Sequence, residues 1–280
     1  MDSGGRLVAQ RLTDRVWRVT VGELDISALA IDFQIMRSIK REPNTLSLSV
    51  FNLSADHRAQ VQTGTNQITV RAGYRDTGAH VLFVGDARNV LSEQDKTEIK
   101  TTIEGRDSGR AYQQARIDRS YAPGTPVATV VRDLVARLGV GEGNTEDAIS
   151  AGLTLRNDAS DFGDGYTASG KVPDVLTALL RGSGYRWSIQ NNAIQILRRG
   201  RPIQSQAVRL SKTSGLIGSP AKGDRGRILA MSLIQPGLDP GRRIVLDTPE
   251  VSGGYEVERA EYVGTTRAND WSVSLTLRPL

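Results

Sequence analysis

The chain has 280 residues, of which 38% are hydrophobic and 24% charged, with a formal net charge of +5 and 29 glycines. Two or three small domains, or one large one, can be packed from that composition, with a core of Val, Leu, Ile and Ala because aromatics reach only 5%. The chain has no cysteine and only two histidines, His57 and His80; disulfides, thiolate catalysis and cysteine zinc sites are excluded, and histidine metal sites and Ser-His-Asp hydrolysis nearly so.

Residues 1–6 hold no apolar leader, and no run approaches the roughly 18 apolar residues of a membrane span. No membrane-spanning segment and folding in a cytoplasm are therefore expected. Residues 16–21 and 24–26 flank Gly22 as a hairpin. Leu29, Ile31, Phe33 and Ile35 recur at period two, the signature of a half-buried strand. Residues 38–44 form a charged turn containing Pro43, and Leu46, Leu48 and Val50 mark the returning strand. A short helix over 54–61 follows, with Ser54 as its N-cap. Strands over 68–74 and 81–86 come next, and 86–91 pairs with 99–105. His57 and His80 have no evident partner and are expected at the surface.

The middle of the chain changes period. Val127, Val130, Val131, Leu134, Val135 and Leu138 follow helical spacing, with Thr125 as N-cap, Pro126 in the first helical position and Gly139 as stop. Residues 141–150 read as a polar loop and 153–156 as a strand. A second helix starts near Pro173 and buries Val175, Leu176, Leu179 and Leu180. Asn191-Asn192 suits the positive φ of a tight hairpin turn between 185–189 and 193–197. Arg198-Arg199-Gly200-Arg201-Pro202 is a linker. Strands over 228–233, 243–246, 254–262 and 271–277 complete the chain, separated by turns such as that over 235–241.

No motif assembles a nucleophile, a base and an oxyanion donor. Asp161-Phe162-Gly163 lacks every other kinase element. Gly139-Val140-Gly141-Glu142-Gly143 follows a helix rather than a strand, so it is not a dinucleotide loop. Asp158, Asp161 and Asp164 lack the closing glutamate of a calcium loop and read as a solvated turn. Glu256, Glu258 and Glu261 read as the exposed side of a strand. Thirty of the 36 basic residues are arginine and are spread along the chain. Two readings stay open for them: solvated sheet faces, or bidentate pairs across subunit interfaces. No catalytic residue, cofactor or metal is expected.

The order of several short motifs resembles that of baseplate hub proteins from phage tails and related contractile injection machines. The motifs are Asn52-Leu53-Ser54, Ala72-Gly73-Tyr74 and Phe83-Val84-Gly85-Asp86, then Ser120-Tyr121 with Gly124-Thr125-Pro126. Further on come Gly170-Lys171-Val172-Pro173, Gly184-Tyr185-Arg186-Trp187, Gly215-Leu216-Ile217-Gly218-Ser219-Pro220 and Asp270-Trp271. The resemblance covers roughly residues 15 to 278. The resemblance implies a mainly β chain with an α/β insertion (an α+β fold): two tail-tube-like β-barrels plus a small two-helix α/β domain. Its implied division is an N-terminal barrel over 1–112, a strand over 113–123 belonging to the second barrel, an α/β insertion over 124–200 and a C-terminal barrel region over 201–280.

The resemblance further implies a structural, non-enzymatic virion protein of the tail baseplate, assembled in the host cytoplasm. It would form a homotrimer whose pseudo-sixfold ring joins the tail tube, or a tube-initiator protein, to the central spike protein. The tape measure protein and baseplate wedge are further partners, and DNA passes only in transit through the lumen. The charged hairpin residues Arg37, Lys40, Arg41 and Glu42 are expected at a subunit interface. Two other function classes stay open: a cell-wall-degrading hub component, and a nucleic-acid-binding module suggested by the positive charge.

Overall fold

The computed structural model of the chain describes residues 12–62, 66–95, 97–203 and 206–280. The leader reading of residues 1–6 lies outside them. The chain opens with β1 (Arg15–Val21), β2 (Leu24–Asp25), β3 (Ile31–Ser38), β4 (Thr45–Phe51), α1 (Ala55–Gln62), β5 (Gln67–Tyr74), β6 (Gly78–Asp95) and β7 (Glu98–Arg106). The middle holds α2 (Gly109–Gln114), β8 (Arg116–Tyr121), β9 (Thr125–Pro126), α3 (Val127–Leu138), α4 (Thr145–Ser150), β10 (Asp161–Phe162), β11 (Tyr166–Lys171), α5 (Val172–Leu179), β12 (Tyr185–Gln190) and β13 (Ala193–Arg198). The last part holds β14 (Val208–Leu210), β15 (Leu216–Lys222), β16 (Ile228–Leu233), β17 (Arg243–Asp247), β18 (Ser252–Thr265) and β19 (Trp271–Pro279).

The fold is mainly β with an α/β insertion. β1–β7 and β14–β19 form a single 13-stranded sheet in the order β15-β16-β19-β18-β3-β4-β7-β6-β5-β1-β2, with β17 on β18 and β14 parallel to β17. The N-terminal and C-terminal halves meet where β3 pairs antiparallel with β18, from Ser38 opposite Arg259 to Asp32 opposite Thr265. One apolar core runs through both halves. Ile31, Phe33 and Ile35 enter it from β3, while Ala260 and Tyr262 enter from β18, as the period-two alternation of strands requires.

Trp271 of β19 seals this seam. Its ring meets Phe33 and Trp17 edge-on, at 5.5 and 6.0 Å between centroids, and its indole N–H donates to the Gly73 carbonyl. Gly264 lies opposite both Phe33 and Trp271, and a Cβ there would fall 2.3 Å from Phe33 Cζ.

The middle unit has its own core. The α3 stripe of Val127, Val130, Val131, Leu134, Val135 and Leu138 is buried, and Gly139 closes the helix at φ 67°. α5 buries Val175, Leu176 and Leu179 beside Leu180, and Asn191 and Asn192 turn the β12–β13 hairpin at φ 53° and 61°. Several local expectations need correction. Thr125 lies in β9, Pro126 is the cap, and the Thr125 hydroxyl donates to the Ala122 carbonyl. α4 occupies part of the expected loop over 141–150, and the strand expected over 153–156 does not form: an irregular segment there leads into a one-turn 3-10 helix at Arg156–Asp158.

The strand in 113–123 does not join the C-terminal half. β8 pairs with β11, and its Ile117 and Tyr121 enter the middle unit's core. The C-terminal half instead extends its sheet through β3. Among the described residues no helix is long and apolar enough to cross a membrane.

Gly264→Ala tests the seam. Phe33 is held by Trp271 and cannot swing aside, so overpacking is expected to cost about 1–3 kcal/mol in denaturant unfolding. An unchanged midpoint would show that the seam has slack.

Candidate assembly surface

The side of the sheet turned away from the core forms one open face crossing both halves. Eight consecutive antiparallel strands build it, β15, β16, β19 and β18 from one half and β3, β4, β7 and β6 from the other. One cross-strand row runs Met231, Ser274, Glu261, Met36, Thr45, Arg106. The next runs Ser272, Val263, Gln34, Ser47, Glu104, Asn89. Serine, threonine and charged groups dominate its middle. Gln34 donates to Glu261 at 2.6 Å, a side-chain bond across the β3–β18 junction.

Behind one end of this face lies a buried polar junction. Arg37, expected at a subunit interface, is instead 3% exposed within its own chain and bonds there. Its guanidinium donates to Asp239 Oδ1 at 2.6 Å, to the Leu82 carbonyl at 3.1 Å and to Gln190 Oε1 at 3.1 Å. The physical reason is parity: Arg37 continues the inward-facing series Ile31, Phe33, Ile35 and must find partners inside. Asn44 donates through its side chain to Asp107 Oδ2 at 2.7 Å and to the Ile189 carbonyl at 2.9 Å, and its backbone N–H donates to Asp107 Oδ1. Gln190 returns a bond to the Ser38 carbonyl. β3, the turn after β16 and the β12–β13 hairpin therefore converge on one network.

The other hairpin residues divide. Arg41 pairs with Asp174 of α5 at 3.3 Å, whereas Lys40 and Glu42 are exposed. Sequence reasoning missed Asn44, Asp107, Gln190 and Asp239. The available signal was the turn chemistry of Pro43-Asn44 and of Asp239-Pro240-Gly241.

Glu256 also departs from expectation. It is fully buried and paired with both Arg186 and Arg278. The β12–β13 hairpin covers this part of β18, so an outward position is still enclosed. Glu258 sits at the β18 bulge and takes a bidentate pair from Arg227, which holds its carboxyl below the usual range. His57 is exposed as expected, but both His80 nitrogens are shielded from solvent and burial lowers its pKa. Asp158, Asp161 and Asp164 are exposed, and no group of three potential metal ligands occurs among the described residues.

No protein-family model and no curated protein matches the sequence. Solved structures do match. The 43 kDa tail protein of prophage MuSo2 from Shewanella oneidensis superposes with a TM-score of 0.66, over 94% of this chain and 96% of that one, at 8% identity. A tail protein from Neisseria meningitidis gives 0.62 over 95% and 96%, at 9% identity. The chain has the fold of these tail proteins. An Escherichia coli type VI secretion component, described as structurally similar to the phage T4 tail proteins gp27 and gp5, also shares the tail-protein fold: TM-score 0.57, 96% of this chain and 77% of that one, 10% identity.

Burial raises the Asp107 carboxyl from 3.8 to about 7, against the opposing Asn44 hydrogen bonds and Arg37 charge. The folded state therefore binds the extra proton between the two values, and this group's contribution to stability is lost as pH rises through that window. Wild type is expected to lose stability relative to Asp107→Asn from about pH 4 to about pH 8, followed by denaturant unfolding. A pH-independent difference would sink this assignment.

Proposed function

We propose that this protein is a structural hub of a phage tail or related injection machine. Three copies form a pseudo-sixfold ring that joins the tail tube to the central spike, by assembly and without catalysis. The observation that carries this reading is the open face: each half of the chain contributes four antiparallel strands to one continuous wall. One chain thus supplies two wall units, and three chains supply six. Its serine- and threonine-rich middle suits a water-filled channel through which DNA passes in transit. The shared fold with tail proteins and with a type VI secretion component supports a place among tail parts; a tube on one side and a spike on the other are the partners this reading assigns.

The middle unit packs on this wall through its β12–β13 hairpin, using Gln190 against Arg37 and Arg186 against Glu256. Lys40 and Glu42 remain free to meet a neighbouring subunit at the tip of their hairpin.

Native mass measurement of the purified chain, alone and with its spike protein, is expected to give a trimer. A strict monomer in both samples would overturn the hub reading. Charge reversal by Lys40→Glu with Glu42→Lys is expected to lower the trimer fraction; unimpaired assembly would remove this hairpin from the interface.

A further inference from the structure

Residues 198–202, a linker by sequence, form a fixed turn at the end of β13. The Arg201 N–H donates to the Arg198 carbonyl at 3.0 Å, and Gly200 takes the φ of 76° that such a turn needs. Both flanks are tied down: the Arg199 N–H donates to the Gly184 carbonyl at 2.8 Å and the Ile203 N–H to the Gly241 carbonyl at 2.9 Å. The turn sets the Cα atoms of Arg198 and Arg201 within about 7 Å of each other. Both residues are exposed, and among the described residues neither guanidinium has a hydrogen-bonded or ionic partner.

This turn is one wall of a cleft of about 560 Å³, and α4 is the other. That volume lies in the range of small-ligand sites. Its apolar lining comes from Ala148, Ala151, Ile196, Leu197 and Ile203. The edge of β13 that borders the cleft turns its N–H groups outward in a regular series. Ile194 donates to the Gly141 carbonyl at 2.9 Å and Ile196 to Asn144 Oδ1 at 2.7 Å. By strand alternation the Arg198 N–H points the same way, and among the described residues it has no acceptor. An apolar trough therefore ends at one backbone N–H and two guanidiniums. Asp147, on the α4 wall, is the only acidic group of the lining among the described residues. It repels a ligand that is negative along its whole length, such as a nucleic acid, and favours one that is anionic at a single end.

We infer that this cleft binds the C-terminal end of a partner polypeptide, with the carboxylate held by Arg198 and Arg201 and an apolar last side chain lying among Ala148, Ala151 and Ile203. A planar carboxylate matches the fork of a guanidinium in two parallel hydrogen bonds. The strand N–H supplies a further donor, as in other backbone sites that capture chain termini. The turn fixes the backbone of both arginines before a ligand arrives, so less order is lost on binding. None of these residues belongs to the strands of the open face, so the site stands or falls apart from the ring reading.

The test is a titration of the isotope-labelled chain, followed by amide NMR shifts. The probes are an acetylated tetrapeptide ending in leucine with a free carboxylate, and the same peptide as its carboxamide. The free acid is expected to give saturable shifts centred on residues 198–203 and α4, with a dissociation constant of about 1 mM or tighter. The carboxamide is expected to bind at least about tenfold more weakly. Equal binding of the two peptides, or no saturable shift with either, overturns the proposal. Arg198→Gln with Arg201→Gln changes two exposed side chains. That variant is expected to keep the wild-type thermal unfolding midpoint and to lose the preference for the free acid; a retained preference overturns the assignment of the arginines. Ala151→Trp, at an exposed position, fills the cleft and is expected to abolish binding of both peptides. Undiminished binding to that variant places the ligand elsewhere and overturns the site. Decanoate binding here more tightly than the free-acid peptide makes the occupant a fatty acid and overturns the peptide assignment.

Discussion

The antiparallel pairing of β3 with β18 is the constraint on which the rest of the molecule depends. It converts two half-sheets, separated in sequence by the whole middle unit, into one sheet with one core. Both strands are half-buried, and their inward positions are filled by Phe33, Ile35, Ala260 and Tyr262. A slip of one residue would turn all of these outward. Gly264 and Trp271 add a second lock on register, because the ring of Phe33 occupies the space a side chain at Gly264 would need. The open face inherits its continuity from this register.

The polar junction around Arg37 has a different role. Burying a charged group costs several kcal/mol before its partners repay it, so such networks contribute geometry more than net stability. Here the geometry is three-way. Arg37 is fixed by β3, Asp239 by the turn after β16, and Gln190 by the β12–β13 hairpin. A displacement of any of the three leaves a buried group unpaired. The middle unit has its own core, and polar pairs at this junction and around Glu256 specify how it sits on the sheet.

Much of this was legible in the sequence wherever one local rule acted alone. The α3 stripe, its Gly139 stop and the Asn191-Asn192 turn follow from helical spacing and positive φ. The strand alternation of β3 was equally plain, and extending it one step past Ile35 places Arg37 inside. What obscured this was chemistry: an arginine in a charged hairpin reads as solvated unless its partners are known, and these lie 153 and 202 residues away. Glu256 was misread for a related reason. Its position does point away from the core, but a hairpin from another part of the chain covers it. β8 was assigned to the wrong sheet because a lone short strand carries no information about its partner. The open face was not legible at all, since it exists only once β3 and β18 are paired.

That pairing also governs the order in which the molecule can be made. Gln34 and Glu261, which bond across it, are 227 residues apart. During synthesis the N-terminal half emerges first, with β3 an uncovered edge until nearly the last segment of chain leaves the ribosome. Pairings of such long separation form slowly, and exposed edges recruit foreign strands meanwhile. The middle unit, whose strands and helices pair among themselves, can fold during this wait. Codon choice and chaperone supply over the final quarter of the message therefore bear directly on the yield of correctly closed protein.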